Sequence, residues 1–166
     1  MSKVVSVLLT AASFFAFVLT DKPQVKIEDL RPLTGAQWTG TLTYLDYGKN
    51  KKVSIPSNLI VTPSAVDKRS WNFEYQYPDE PKANHKESVV LSKDGRTIDG
   101  ETVIERTRLA GNTTKLVTEK SGTDNDKQAS FRFTYLIGAK SFSIRKEVRY
   151  EGTSEFFERN LYSWKR

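Results

Sequence analysis

The sequence predicts an all-β protein, an antiparallel up-and-down barrel of about nine strands. Three observations carry that expectation. Apolar and polar residues alternate over most of the chain, and turn residues such as Gly, Asn and Asp separate the alternating runs. The connections are mostly short, which makes neighbouring strands antiparallel. A long meander with one apolar face hides that face most economically by closing on itself. At 166 residues the chain is sized for a single domain.

The chain opens with one lysine, Lys3, followed by an uncharged and mostly apolar run from residue 4 to residue 20. That run is short for a membrane span of ~20 apolar residues and sits where a secretory signal would. The expectation is a signal peptide over residues 1–20, a single barrel domain over residues 21–166, and export to the periplasm or the extracellular space without stable membrane insertion. No cysteine follows the run, so a bacterial lipoprotein anchor is excluded. Residues 21–34, with two prolines, support one helical turn over 27–30 that closes an end of the barrel.

Residues 36–47 place Trp38, Gly40, Leu42 and Tyr44 on one side of a strand. Residues 52–62 return. With Tyr47 opposite Lys52, Trp38 meets Val61 and Tyr44 meets Ile55, and Pro56 marks a bulge or an edge. Residues 70–77 form the most aromatic strand, with Trp71, Phe73, Tyr75 and Tyr77 on one face. The loop 78–86, with two prolines and the only histidine, His85, lies at the mouth and is a candidate contact for a protein partner. Residues 88–93 and 97–109 pair around Asp94-Gly95, with Leu91 opposite Ile98. A face-switching bulge at Gly100 leaves open whether Arg106 and Arg108 or Val103 and Glu105 point inward. Residues 115–120 precede a polar loop over 121–127.

The last three strands, within 128–164, alternate most cleanly. A two-residue type II′ loop at Gly138-Ala139 pairs Ile137 with Lys140, Tyr135 with Phe142, Phe133 with Ile144 and Phe131 with Lys146. Val148, Tyr150, Phe156, Glu158, Asn160, Tyr162 and Trp164 continue that face. Arg132, Thr134, Arg145, Glu147 and Arg149 occupy the other.

The net charge is +6, but the charges alternate in sign along the strands, as on a solvated exterior. Single-stranded nucleic acid needs cations and stacking rings at one site, and here they fall on opposite faces, so no nucleic-acid partner is expected. Without cysteine there is no disulfide, thiolate ligand or thiol nucleophile, and one histidine is too little for zinc or haem. The expectation is therefore no enzyme, no metal and no cofactor. Asp124-Asn125-Asp126 lacks the glycine and distal glutamate of a calcium loop and is a turn. Lys146 and Glu158 fall opposite or diagonal on the inward face. Such a pair can hold a polar headgroup, act as acid and base, or fix strand register.

The run Leu33-Thr34-Gly35-Ala36-Gln37-Trp38-Thr39-Gly40, entered from a short helical turn, resembles the opening of calycin-type barrels, the lipocalins and fatty-acid-binding proteins. In that superfamily a glycine and a tryptophan begin the first strand and a basic residue packs on the indole. The resemblance implies that Trp38 is that tryptophan and that Arg159, Lys165 or Arg166 is the cation. Two residues separate Gly35 from Trp38 where lipocalins have one, and the lipocalin disulfides are missing. The chain is also similar to bacterial exported lipocalin-like barrels. What the resemblance implies is a central cavity that takes a small hydrophobic or amphipathic ligand. Trp38, Tyr44, Trp71, Phe73, Tyr75, Phe133 and Tyr135 would line it, with Lys146 or Glu158 orienting a polar end. A filled barrel acting as a non-catalytic interaction module is the alternative.

Overall fold

The computed structural model describes residues 22–35 and 37–166, so the predicted signal peptide, and with it the expectation of export, lies outside the described residues. A four-residue helix, α1 (Ile27–Leu30), runs into a 3₁₀ turn, Arg31–Leu33. The strands are β1 (Gln37–Asp46), β2 (Lys51–Pro63), β3 (Ser70–Gln76), β4 (His85–Val90) and β5 (Thr97–Ile98). After them come β6 (Glu101–Arg108), β7 (Thr114–Asp124), β8 (Lys127–Ile137), β9 (Ser141–Tyr150) and β10 (Phe157–Lys165). They form one ten-stranded antiparallel sheet in the order β4-β3-β2-β1-β10-β9-β8-β7-β6-β5. The two edge strands meet through the Leu91–Ile98 bridge, backed by Asp99 N–H donating to Val90 O at 2.8 Å. The result is a nearly closed up-and-down barrel.

The tenth strand comes from Asp99-Gly100. Both residues have positive φ, 50° and 74°, the geometry of a type I′ turn, and Ile98 pairs with Glu101 across it. The expected single strand 97–109 is thus a short hairpin. The bulge falls later, between Val103 and Glu105, and it turns Arg106 and Arg108 to the side of Leu116 and Thr114, their buried partners in β7. A second type I′ pair, Asn125-Asp126 with φ of 46° and 61°, lets β7 and β8 continue through most of the expected loop at 121–127.

Two predicted registers slide by two residues. Gly138 does not have the positive φ that a II′ turn requires; instead its N–H donates to Ser141 O at 2.9 Å, closing a four-residue turn. Ile137 therefore pairs with Phe142, Tyr135 with Ile144, Phe133 with Lys146 and Phe131 with Val148. In the first hairpin Trp38 pairs with Leu59 and Tyr44 with Val53. A shift of two leaves every side chain on its predicted face. At Pro56 the β1–β2 ladder runs without a bulge, and pairing of β2 with β3 begins only at Asn58, so the proline sits on a local edge.

The helical end of the barrel is filled. Leu30, Leu33, Trp38, Leu59, Trp71, Phe142 and Trp164 are buried there. Trp38 is completely buried and its Nε1 donates to Leu33 O at 2.8 Å, while the Arg166 guanidinium lies 4.6 Å from the indole centroid. Of the three candidate cations, the one over Trp38 is Arg166. Arg106 binds both carboxylate oxygens of buried Asp29 at 2.7 and 2.8 Å, tying α1 to β6. Burial raises the Asp29 pKa, but the Arg106 bond, the Lys26 N–H and the neighbouring arginine charges outweigh it and hold the group below the usual range. This tie therefore stabilises the fold at neutral pH and is lost as pH falls through the lowered value.

Gly40 pairs with Trp164 where the β10 backbone lies close against β1. A Cβ there would stand 1.9 Å from the Ser163 carbonyl oxygen, which is backbone and has little freedom to move. Gly40→Ala should therefore destabilise the barrel by about 1–3 kcal/mol, read as a lower denaturant midpoint with an unchanged m-value. An unchanged midpoint would mean that β1 and β10 do not approach as described.

Candidate functional site: an inner chamber and its vestibule

Above the packed end a chamber of ≈ 200 Å³ opens. Its walls include Phe73, Tyr75, Ile98, Phe133, Tyr135, Ile144 and Tyr162. Toward the mouth a more open vestibule of ≈ 400 Å³ is bounded by Leu42, Tyr44, Ile55, Tyr77, Asp124 and Arg159. His85, Lys146 and Asn160 line both spaces and so mark the neck between them. An unbroken series of rings runs from the plug to this neck. Phe142 stacks on Trp164 at 5.3 Å, Trp164 on Tyr162 at 4.9 Å, Tyr162 meets Tyr75 at 5.4 Å, and Tyr75 stacks on His85 at 4.8 Å.

Of the predicted lining residues, Phe73, Tyr75, Phe133, Tyr135 and Lys146 border the chamber and Tyr44 borders the vestibule. Trp38 and Trp71 border neither and belong to the packed end. Glu158 is on the outer face, where it binds Lys52 Nζ at 2.7 Å and Arg145 Nε at 3.2 Å. The cause is a bulge between Glu158 and Asn160: Glu158 pairs with Glu147, and Asn160 takes the place opposite Lys146. The same bulge puts Phe156 outside, clamped between the guanidinium groups of Arg132 at 4.1 Å and Arg149 at 4.8 Å, and sends Phe157 inward against Tyr150. Arg159, the extra residue, reaches over the rim onto the Tyr47 ring at 4.3 Å and toward Asp124 at 3.7 Å. His85 belongs to β4 rather than the preceding loop, and its stacking on Tyr75 makes it part of the neck. Glu80 and Ala83 of that loop form a lip of the vestibule.

The chamber also holds a group that the alternation did not single out. Glu101, almost fully buried, accepts from Thr118 Oγ1 at 2.5 Å and from Tyr135 Oη at 2.8 Å, and its other oxygen lies 3.3 Å from Lys120 Nζ. Burial raises its pKa, and these three contacts offset only part of the rise. The available signal was the Asp-Gly turn: once 99–100 is a hairpin, Glu101 faces Ile98 and looks inward.

Lys146 is different. It is half-buried, and its Nζ lies 4.1 Å from the Phe131 centroid; no carboxylate of the described residues comes within ion-pair distance of it. Burial pushes its pKa down; Asp124 opposes that shift, while Arg159 and Lys120 add to it. Facing it, Asn160 Oδ1 is buried without a hydrogen-bond partner.

Among the described residues there is no group of three or more His, Cys, Asp or Glu side chains arranged to hold a metal, and no helix long and apolar enough to cross a membrane. No protein-family model matches the chain, and no curated protein matches it as a relative.

Glu101 sets a pH dependence. Its raised pKa means that the folded protein keeps a proton which the unfolded chain has already released, so stability from this group is present at acid pH and is lost as pH rises through the folded value. Glu101→Gln should gain stability relative to the wild type as pH is raised from the ordinary glutamate range toward neutrality, measured as denaturation midpoints over a pH series. Parallel curves for the two proteins would show that folding does not raise the Glu101 pKa.

Proposed function

We propose that this protein is a non-catalytic, lipocalin-like carrier, exported by its N-terminal apolar segment, that holds a small hydrophobic or amphipathic molecule inside its barrel. The observation that carries the reading is the chamber itself, aromatic in its walls and continuous with a vestibule through a neck of three residues. A protein interior otherwise packs with few voids larger than water, so a space of this size over a filled floor points to an occupant.

Its volume narrows that occupant. Cavities of roughly 150 Å³ bind benzene, whereas sites for drug-sized ligands run from roughly 300 to 1,000 Å³. A chamber of ≈ 200 Å³ suits one substituted ring or a short branched chain, with any polar part in the vestibule. Long acyl chains of the kind fatty-acid-binding proteins take are too large for the inner space. The resemblance at Gly35, Trp38 and Arg166 supports the same class of function, since these residues make the end closure on which such barrels rest.

The carrier reading is tested by titrating a one-ring apolar compound, toluene, and following the methyl resonances of Ile98, Ile137 and Ile144. All three should shift and saturate together. Ile144→Phe, which fills the chamber with the backbone unchanged, should weaken uptake by about tenfold or more while preserving the circular dichroism spectrum. Shifts confined to surface residues would remove the reading.

A further inference from the structure

The neck contains an electrostatic imbalance. Every other cation around the two spaces has a carboxylate: Lys120 lies 3.3 Å from Glu101, and Arg159 is 3.7 Å from Asp124. Lys146, between them, has a ring beneath it and no counter-ion. Opposite it on β10, Asn160 presents a buried oxygen with nothing bound to it. Among the described residues two other buried side-chain polar atoms lack partners, Ser57 Oγ and Trp164 Nε1, and neither residue borders the chamber or the vestibule. The unmet charge and the unmet acceptor at the neck are therefore neighbours, at the one level where a bound ring in the chamber would present its substituent.

From this we infer that the ligand is a compact aromatic or branched carboxylate, its apolar part in the chamber and its anion on Lys146 Nζ. The inference rests on the carrier reading and specifies its ligand. A carboxylate supplies the acceptor that Lys146 lacks and neutralises a charge that burial disfavours. The walls suit the rest: Phe133 and Tyr135 stack with centroids 6.5 Å apart on one side, and Phe73 and Tyr75 lie 6.4 Å apart on another. Acidic groups do border the chamber. Glu87 and Asp99, at the seam between β4 and β5, are exposed and hydrated, and Glu101 is already engaged by Lys120, Thr118 and Tyr135. They leave no buried negative charge awaiting a cationic ligand, so the acid is favoured over the amine.

Three probes of nearly equal shape separate the possibilities: phenylacetate, phenylacetamide and 2-phenylethylamine, titrated into the purified protein at neutral pH by calorimetry and by the Ile144 methyl resonance. Phenylacetate should bind at least about tenfold more tightly than the amide and the amine. Lys146→Met should bring acid and amide to equal affinity. Lys146→Arg should restore most of the preference for the acid. The inference is overturned if the amide or the amine binds as well as the acid, or if Lys146→Met leaves the preference intact. Should none of the three probes, nor toluene, enter the chamber, it is the carrier reading that falls, and this inference with it.

Discussion

The constraint on which the barrel depends is parity. A strand has two faces, and a closed sheet assigns one of them to the interior along its whole length. Burying a Val, Leu, Ile or Phe side chain contributes about 1.5–3 kcal/mol, so a one-residue slip that expelled Phe131, Phe133, Tyr135 and Ile137 together would cost about 6–12 kcal/mol, comparable with the whole stability of a typical domain. A two-residue slip expels nothing. Turn geometry is then free to choose among registers of equal parity: the Gly138–Ser141 turn and the turn before β2 both settle two residues from the expected pairing.

Parity is broken at two bulges, and both breaks deliver charge. The one between Val103 and Glu105 turns Arg106 to α1, where Asp29 receives it, and Arg108 to Thr114 at the base of β7. The one between Glu158 and Asn160 expels Glu158 to meet Lys52 and Arg145, and lifts Arg159 over the rim to Leu45 O, Tyr47 and Asp124. One bulge thus locks the plug and the other furnishes the mouth. A regular ladder would leave Arg106 and Arg159 on the outside, without these partners.

What could be read from the sequence followed the same division. The alternating runs reveal the fold class, the faces of β1, β3, β8 and β9, and six of the nine expected lining residues, because period two survives any even register. Glu158 was misplaced because a bulge leaves no local mark in a stretch such as Glu-Phe-Phe-Glu-Arg, where apolar residues stand on both parities. Trp38 and Trp71 were on the correct face, but alternation gives a side chain's direction and not its height, and height decides whether a ring lines a cavity or fills the floor. Glu101 was missed for a different reason. Asp99-Gly100 is a strong hairpin signal, and reading it as a bulge left the inward side of β6 undecided.

Height is also what gives the chamber its shape and its chemistry. Trp38, Phe142 and Trp164 gather at the α1 end and fill it, whereas above them the rings of Phe73, Tyr75, Phe133 and Tyr135 stand around a space they do not fill. Lys146 stands in that gap. Its ring contact with Phe131 is worth about 2 kcal/mol, and removing an ammonium fully from water costs several. Half-buried, Lys146 bears part of that cost; Asp124 and Glu101 offset some of it from a distance, and no carboxylate of the described residues pairs with it directly. A methionine at the same place would pack on Phe131 with no desolvation cost at all. A charge that contributes little to the empty barrel, set beside Asn160 between the two spaces, makes physical sense when an anion completes it.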